Sequence, residues 1–285
     1  MKVAIIGLGL IGGSLAKALK NYNDNTRQKK YEVLGIVRRR QTLKLALQTK
    51  SVDYAYLNLE DCRDADIVVI ALPVDLIAPT YKELCAYLKS GAVVTDVGSV
   101  KNRICEEILK IQSSKDIKNP PVFVGAHPMS GKETNGLKYA ESDLFLNANV
   151  VITGSIKKSA KAEKIVEQMW KDAKAKIIKM APKEHDNLVA LTSHLPHLMA
   201  FALHKIYNDK KARDRQIEKI LAGSFYSAIR VASSSADMWA PIFSYNTQNI
   251  IKNLNAFIKE LNVLKASLKD KEQIKKQIKK TQIIS

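Results

Sequence analysis

A chain of 285 residues, 46% hydrophobic and 26% charged, is long enough for one large domain or two ordinary ones, each with a proper core. A formal net charge of +18 would attract nucleic acid, anionic membrane or acidic metabolites, but the lysines are scattered and only 6% of residues are aromatic, so basic surface drift is expected and no specific nucleic-acid partner. Three widely spaced cysteines without a CxxC argue against a disulfide framework or zinc site, and no apolar run reaches the ~18 residues of a membrane span, which together point to a cytoplasmic protein.

The N-terminal MKVAIIGLGLIGGSLAKAL mimics a signal peptide, but four glycines interrupt its apolar run. Downstream, β-branched runs alternate with amphipathic stretches. Strands are expected at 3–7, 32–37, 66–72, 92–97, 122–126, 150–154 and 176–180, and helices at 14–21, 43–50, 76–88, 100–112 and 161–174. That alternation implies right-handed βαβ crossovers and an α/β, Rossmann-type, doubly wound parallel sheet over residues 1–180. After Pro182, which suits a helix's first turn, the stretches 184–207, 214–233 and 242–268 are helical in period and hold no strand-like run. Residues 181–285 are therefore expected to form an all-helical domain, apolar enough to favour burial against a second subunit in a homodimer. The terminal LKDKEQIKKQIKKTQIIS, with six lysines and two acids, reads as a solvated, fraying helix.

GLGLIGG at 7–13 follows the first strand and opens a helix. Gly7 suits a tight turn, Gly9 lets the backbone approach a pyrophosphate, and Gly12 permits close helix–strand packing. Leu10 and Ile11 open the helix, whose N-terminal N–H groups and dipole favour phosphate. Leu72 and Pro73, at the end of the strand at 66–72, are assigned to the same dinucleotide site.

Three further motifs carry polar groups: DVGSVK (96–101), AHPMSGKE (126–133) and SHLPH (193–197). The first two fall at strand carboxyl ends, where open α/β sheets bind ligands. Each has a plainer reading as well. Ser99 could cap a helix starting at Val100, His127 could be a turn histidine, and His194 and His197, three apart, could be core residues. Metal binding is not expected, since no HExxH or supporting carboxylate accompanies them.

Taken together, GLGLIGGS, DVGSVK, HPMSGKE, EHD, SHLPH and a late arginine followed nine residues on by tryptophan resemble the TyrA family, the prephenate, arogenate or cyclohexadienyl dehydrogenases of tyrosine biosynthesis. The resemblance runs over nearly the whole chain. It implies oxidative decarboxylation of prephenate or arogenate, with hydride passing from ring C4 to a nicotinamide cofactor. It makes His127 the catalytic base toward the 4-hydroxyl and Ser99 its hydrogen-bonding partner. It gives Arg230 a substrate carboxylate, His197 a substrate contact with His194 in support, Glu133 a pocket-gating role, and Trp239 an aromatic wall near a subunit interface. The family pattern GGFRDxTR is replaced here by GSFYSAIR (223–230), so Tyr226 and Ser227 stand where an Arg–Asp pair organises the site.

The cofactor is suggested by LGIVRRRQT (34–42). NAD enzymes place an acid at the end of the second strand to hold the adenosine ribose, whereas here Val37 is followed by Arg38 and Arg39, which can pair with a 2′-phosphate. NADP is therefore expected in preference to NAD, with NAD possible. Two alternatives stand beside this reading: another NADP-dependent β-hydroxyacid dehydrogenase, though SHLPH occupies the place of that class's lysine, and a non-catalytic NADP-binding regulator.

Overall fold

The fold comes from a computed structural model describing residues 1–27, 29–132, 134–156 and 159–282. Its elements, in chain order, are β1 (Lys2–Ile6), α1 (Leu10–Thr26), β2 (Glu32–Ile36), α2 (Arg40–Gln48), β3 (Tyr54–Tyr56), β4 (Ile67–Ile70), α3 (Val74–Leu84), β5 (Val93–Asp96), α4 (Asn102–Gln112), β6 (Val122–Pro128), β7 (Asn149–Ser155), α5 (Ala160–Asp172) and β8 (Lys176–Lys179). Then follow α6 (Pro182–Val189), α7 (Leu195–Arg213), α8 (Gly223–Ile229), α9 (Ala236–Tyr245), α10 (Thr247–Ser267) and α11 (Lys271–Thr281). Two compact units result: Met1–Asp186 with Ser233–Tyr245, and Asn187–Ala232 with Asn246–Ser285.

The first unit is built on one eight-stranded sheet in the order β3-β2-β1-β4-β5-β6-β7-β8. The central strands read VAII, IVVI and VVTD, buried along their length, as strands covered on both faces must be. The first six strands have the doubly wound 3-2-1-4-5-6 order, so the topological switch lies between β1 and β4 and opens a crevice beyond their carboxyl ends. β3 escaped the sequence pattern because it is a three-residue edge strand with Tyr54 half exposed.

The sheet is parallel as expected except at one pairing: β7 runs antiparallel to β6, pairing Ala126 with Ile152 and His127 with Val151. Among the described residues the stretch between them holds a short 3-10 turn, Leu137–Tyr139, and no crossover helix, and the chain returns in the opposite sense. At the far face Tyr31, wholly buried, donates its hydroxyl to Asp172 of α5 at 2.5 Å, and Asp172 also accepts from Lys30 at 2.5 Å and Gln168 at 2.8 Å. Burial and the carboxylate push the Tyr31 phenol well above its ordinary range. Cys62 is likewise buried, and burial pushes its thiol up to about 12, the state of an inert structural thiol.

The helical unit is more broken than periodicity suggests. The expected helix at 184–207 is interrupted by a π-helical turn, Ala190–His194, that ends two residues before Pro196. Proline has no N–H for the carbonyl one turn back, and a widened turn accommodates the loss. The stretch 214–233 is divided into two 3-10 turns and α8, the first capped by the Asp214 side chain on Gln216 N–H at 2.9 Å. The stretch 242–268 breaks at Asn246, so α9 falls in the sheet unit. The basic tail is helical over α11, where Asp270 caps Glu272 and Gln273 N–H at 2.9 and 3.0 Å. No helix of the described residues is long and apolar enough to cross a membrane.

Replacing Tyr31 with Phe removes one donor from a buried carboxylate, and about 1–3 kcal/mol of stability should be lost in urea unfolding. A change below about 0.5 kcal/mol would show that this hydrogen bond does not hold α5 to the sheet.

Candidate active site

The glycine loop links β1 to α1 at the switch point. Gly7 has φ +94°, and a side chain there would stand 2.5 Å from the Ala71 carbonyl oxygen. A Cβ at Gly12 would lie 2.0 Å from the Gly7 carbonyl oxygen and 2.9 Å from Ala71 Cβ. At Gly9 the position of a side chain faces open space. Gly9 is also the N-cap of α1 and supplies no side-chain cap, so the first-turn N–H groups of Leu10, Ile11 and Gly12 face outward at the positive end of the helix dipole. This cradle fits a pyrophosphate. Leu72 packs against Gly7, and Pro73 is the N-cap of α3.

Beside the loop, Gly7 N–H donates to Ile36 O at 2.9 Å and fixes the end of β2 against it. Val37 is buried there, while Arg38, Arg39 and Arg40 are exposed, Arg39 being the N-cap of α2. Among the described residues none of these guanidinium groups is in an ion pair. The strand end thus carries three exposed arginines after Val37.

Further along the sheet, a buried polar lattice holds the end of β5 to the end of β6. Lys101 is wholly buried, and its ammonium pairs with the carboxylate of Asp96, also wholly buried. Lys101 Nζ also donates to Ala126 O at 2.8 Å, while Asp96 accepts from Ala126 N–H at 3.0 Å and Gly98 N–H at 2.9 Å. These bonds fix the residue immediately before His127. The His127 ring in turn lies 5.0 Å from that of His185, edge to face, with Nδ1 2.8 Å from His185 Nε2. His185 Nδ1 donates to Asp186 Oδ1 at 2.8 Å, and the N-terminus of α4 binds that carboxylate through Lys101 N–H at 2.7 Å and Asn102 N–H at 2.9 Å.

His127 Nδ1 is thus hydrogen-bonded to His185. Ser99 is half-buried in the loop between β5 and α4, and it does not cap α4, which starts at Asn102 with Lys101 as N-cap. Trp239 is buried on α9, where its ring lies 5.2 Å from that of Phe243, and Tyr245 holds this helix to α4 through Glu107 at 3.2 Å and the face of Arg103. Glu133 lies outside the described residues.

The remaining residues belong to the helical unit. His194 closes the π-helical turn and is buried, with Nδ1 3.2 Å from the Asn246 amide. His197 donates from Nδ1 to Ser193 O at 2.9 Å; burial lowers its pKa, while that hydrogen bond acts in the other direction. Arg230 is exposed at the start of the last 3-10 turn, and Tyr226 is exposed on α8 beside Phe225, whose ring lies 4.9 Å from Tyr207.

A dinucleotide crevice, with a hydrogen-bonded imidazole at the end of a strand in the same sheet, defines the class as a nicotinamide-dependent dehydrogenase that removes a hydride and a proton from one substrate. The family is set by sequence: residues 15–179 match the nucleotide-binding domain of prephenate dehydrogenase and residues 181–280 match its dimerization domain, and the chain belongs to that family. It is 31% identical over 269 residues to the cyclohexadienyl dehydrogenase of Zymomonas mobilis, covering 93% of this chain and 88% of that protein. The A. aeolicus prephenate dehydrogenase, solved with hydroxyphenyl propionate and NAD+, superposes with a TM-score of 0.86 at 29% identity over 99% of this chain and 96% of that one. The Synechocystis arogenate dehydrogenase gives 0.79 at 27% identity, over 99% and 98%.

Lys101→Met should leave the Asp96 carboxylate buried without its cation and cost about 3–5 kcal/mol in urea unfolding. A loss under about 1 kcal/mol would mean that the lattice is not what joins β5 to β6.

Proposed function

We propose that this chain oxidises and decarboxylates prephenate, with arogenate as the alternative substrate, and uses NADP in preference to NAD. The observation carrying the reaction is the hydrogen-bonded His127 at the end of β6 in the sheet that bears the glycine loop. Bound at that loop, the nicotinamide dinucleotide supplies the hydride acceptor. His127 takes the proton of the substrate 4-hydroxyl as its carbon–oxygen double bond forms. Loss of the ring carboxylate as carbon dioxide then aromatises the ring, and His127 can return the proton to the phenolate oxygen. The chain's task is orientation and the custody of one proton, because aromatisation drives the reaction.

Arg230 is proposed to bind a substrate carboxylate, His197 to contact the substrate with His194 in support, Glu133 to line and gate the pocket, Trp239 to form an aromatic wall, and Ser99 to hydrogen-bond His127 and the substrate. Arg230→Ala should raise KM with little change in kcat.

The preference for NADP is supported by the arginines at the end of β2 and by the absence of an acid at Val37. kcat/KM should be higher with NADP than with NAD. Arg38→Ala or Arg39→Ala should lower the NADP value by about 10- to 100-fold and leave the NAD value nearly unchanged. A wild-type preference for NAD would end this assignment. Running both cofactors against prephenate and arogenate in the same series identifies the substrate.

A homodimer through the helical unit is part of the proposal. Ile206, Ile220 and Leu268 are 66%, 79% and 69% exposed, a strongly apolar surface for a single chain. Sedimentation equilibrium at micromolar concentration should give a dimer, and Ile206→Asp with Ile220→Asp should shift it toward monomer. A monomeric wild type would overturn this part of the reading.

A further inference from the structure

Two hydrogen bonds of 2.8 Å join His127, His185 and Asp186 in series within the sheet unit. We infer that Asp186 and His185 are positioning residues that hold His127 in the one neutral tautomer able to act as a base at Nε2. The inference rests on the assignment of His127 as the proton acceptor.

The chain of constraint begins at α4. Its first turn carries no acid and its N-cap no side-chain hydrogen bond. Asp186 fills that place from α6, accepting from Lys101 N–H on Oδ1 and Asn102 N–H on Oδ2. With backbone donors aimed at both oxygens, the carboxylate acts toward His185 as an acceptor. His185 must therefore carry its proton on Nδ1. A neutral ring protonated there has a bare Nε2, which can only accept. His127 must then donate from Nδ1, and in a neutral His127 this leaves the lone pair on Nε2.

The same bonds serve the protonated state. When His127 takes up a proton at Nε2, its Nδ1–H still points at His185, and the imidazolium charge lies at one end of a chain that terminates in a carboxylate. A carboxylate that orients a catalytic imidazole and stabilises its charged form is the logic of the serine-protease triad. Here a second imidazole stands between the two. His185 and Asp186 are each only 1% exposed, so solvent does not compete for either link.

The test has a direct arm and a kinetic arm. Nitrogen-15 spectra of the wild-type histidine rings should show His127 and His185 both protonated on Nδ1 at neutral pH. A neutral His127 ring with its proton on Nε2 and none on Nδ1 overturns the inference, and this arm needs no variant to fold. In the kinetic arm, His185→Phe removes the acceptor while keeping a ring of similar size. We expect kcat to fall by about 10- to 100-fold, with KM for substrate and Kd for NADP within about threefold of wild type. Asp186→Asn should produce a loss of the same kind, because either orientation of its amide sets an N–H against a backbone N–H or inverts the His185 tautomer. Unchanged kcat in a folded, cofactor-binding His185→Phe protein also overturns the inference. His127→Asn separates the two levels. If it is inactive while His185→Phe is fully active, only the positioning role fails. If His127→Asn itself turns over normally, the base assignment fails and the inference falls with it.

Discussion

Much of the active-site half of the sheet hangs on one buried ammonium, that of Lys101. Charges are expensive to bury, and the cost is offset only where each is paired and its remaining hydrogen-bonding capacity is filled. Lys101 meets that condition by reaching in two directions at once. Its side chain binds Asp96 at the end of β5 and the Ala126 carbonyl on β6, and its backbone N–H binds Asp186 on α6. Three segments distant in sequence are thereby held to one residue. The backbone just before His127 and the carboxylate two bonds behind His127 Nδ1 share this single anchor.

The cofactor side of the sheet relies on steric exclusion instead. Gly7 and Gly12 stand where any side chain would strike the backbone, and Gly9 stands where space is open. The loop is shaped by the absence of atoms, while the catalytic end is held by fully paired ones. Arg38 and Arg39 stand at the loop's edge, and they turn part of a diffuse basic charge into a local one.

The glycine loop and the alternation of strands and helices were legible in the sequence, since both are written in local spacing. The antiparallel β7 was not, because β-branched composition marks a strand without giving its direction; the missing helix between β6 and β7 was the available signal. The interruptions in the helical unit come from Pro196, Asp214 and Asn246, single residues that a hydrophobic period averages over. The bond from His127 to His185 spans 58 positions of sequence, and no local spacing announces it. EHD was visible as a motif and DVGSVK likewise, but the roles of Asp96, Lys101, His185 and Asp186 follow from contacts that only the folded chain creates.

The central claim is that one chain couples removal of a hydride to loss of a carboxylate while His127 holds the proton. Parallel quantification of reduced nicotinamide and carbon dioxide, from pure protein supplied with prephenate and NADP, tests this most directly. The account predicts equal molar amounts of the two, appearing at the same rate. Reduced cofactor without carbon dioxide, as from a simple hydroxyacid dehydrogenase, or no turnover at all with prephenate and arogenate alike, would contradict it.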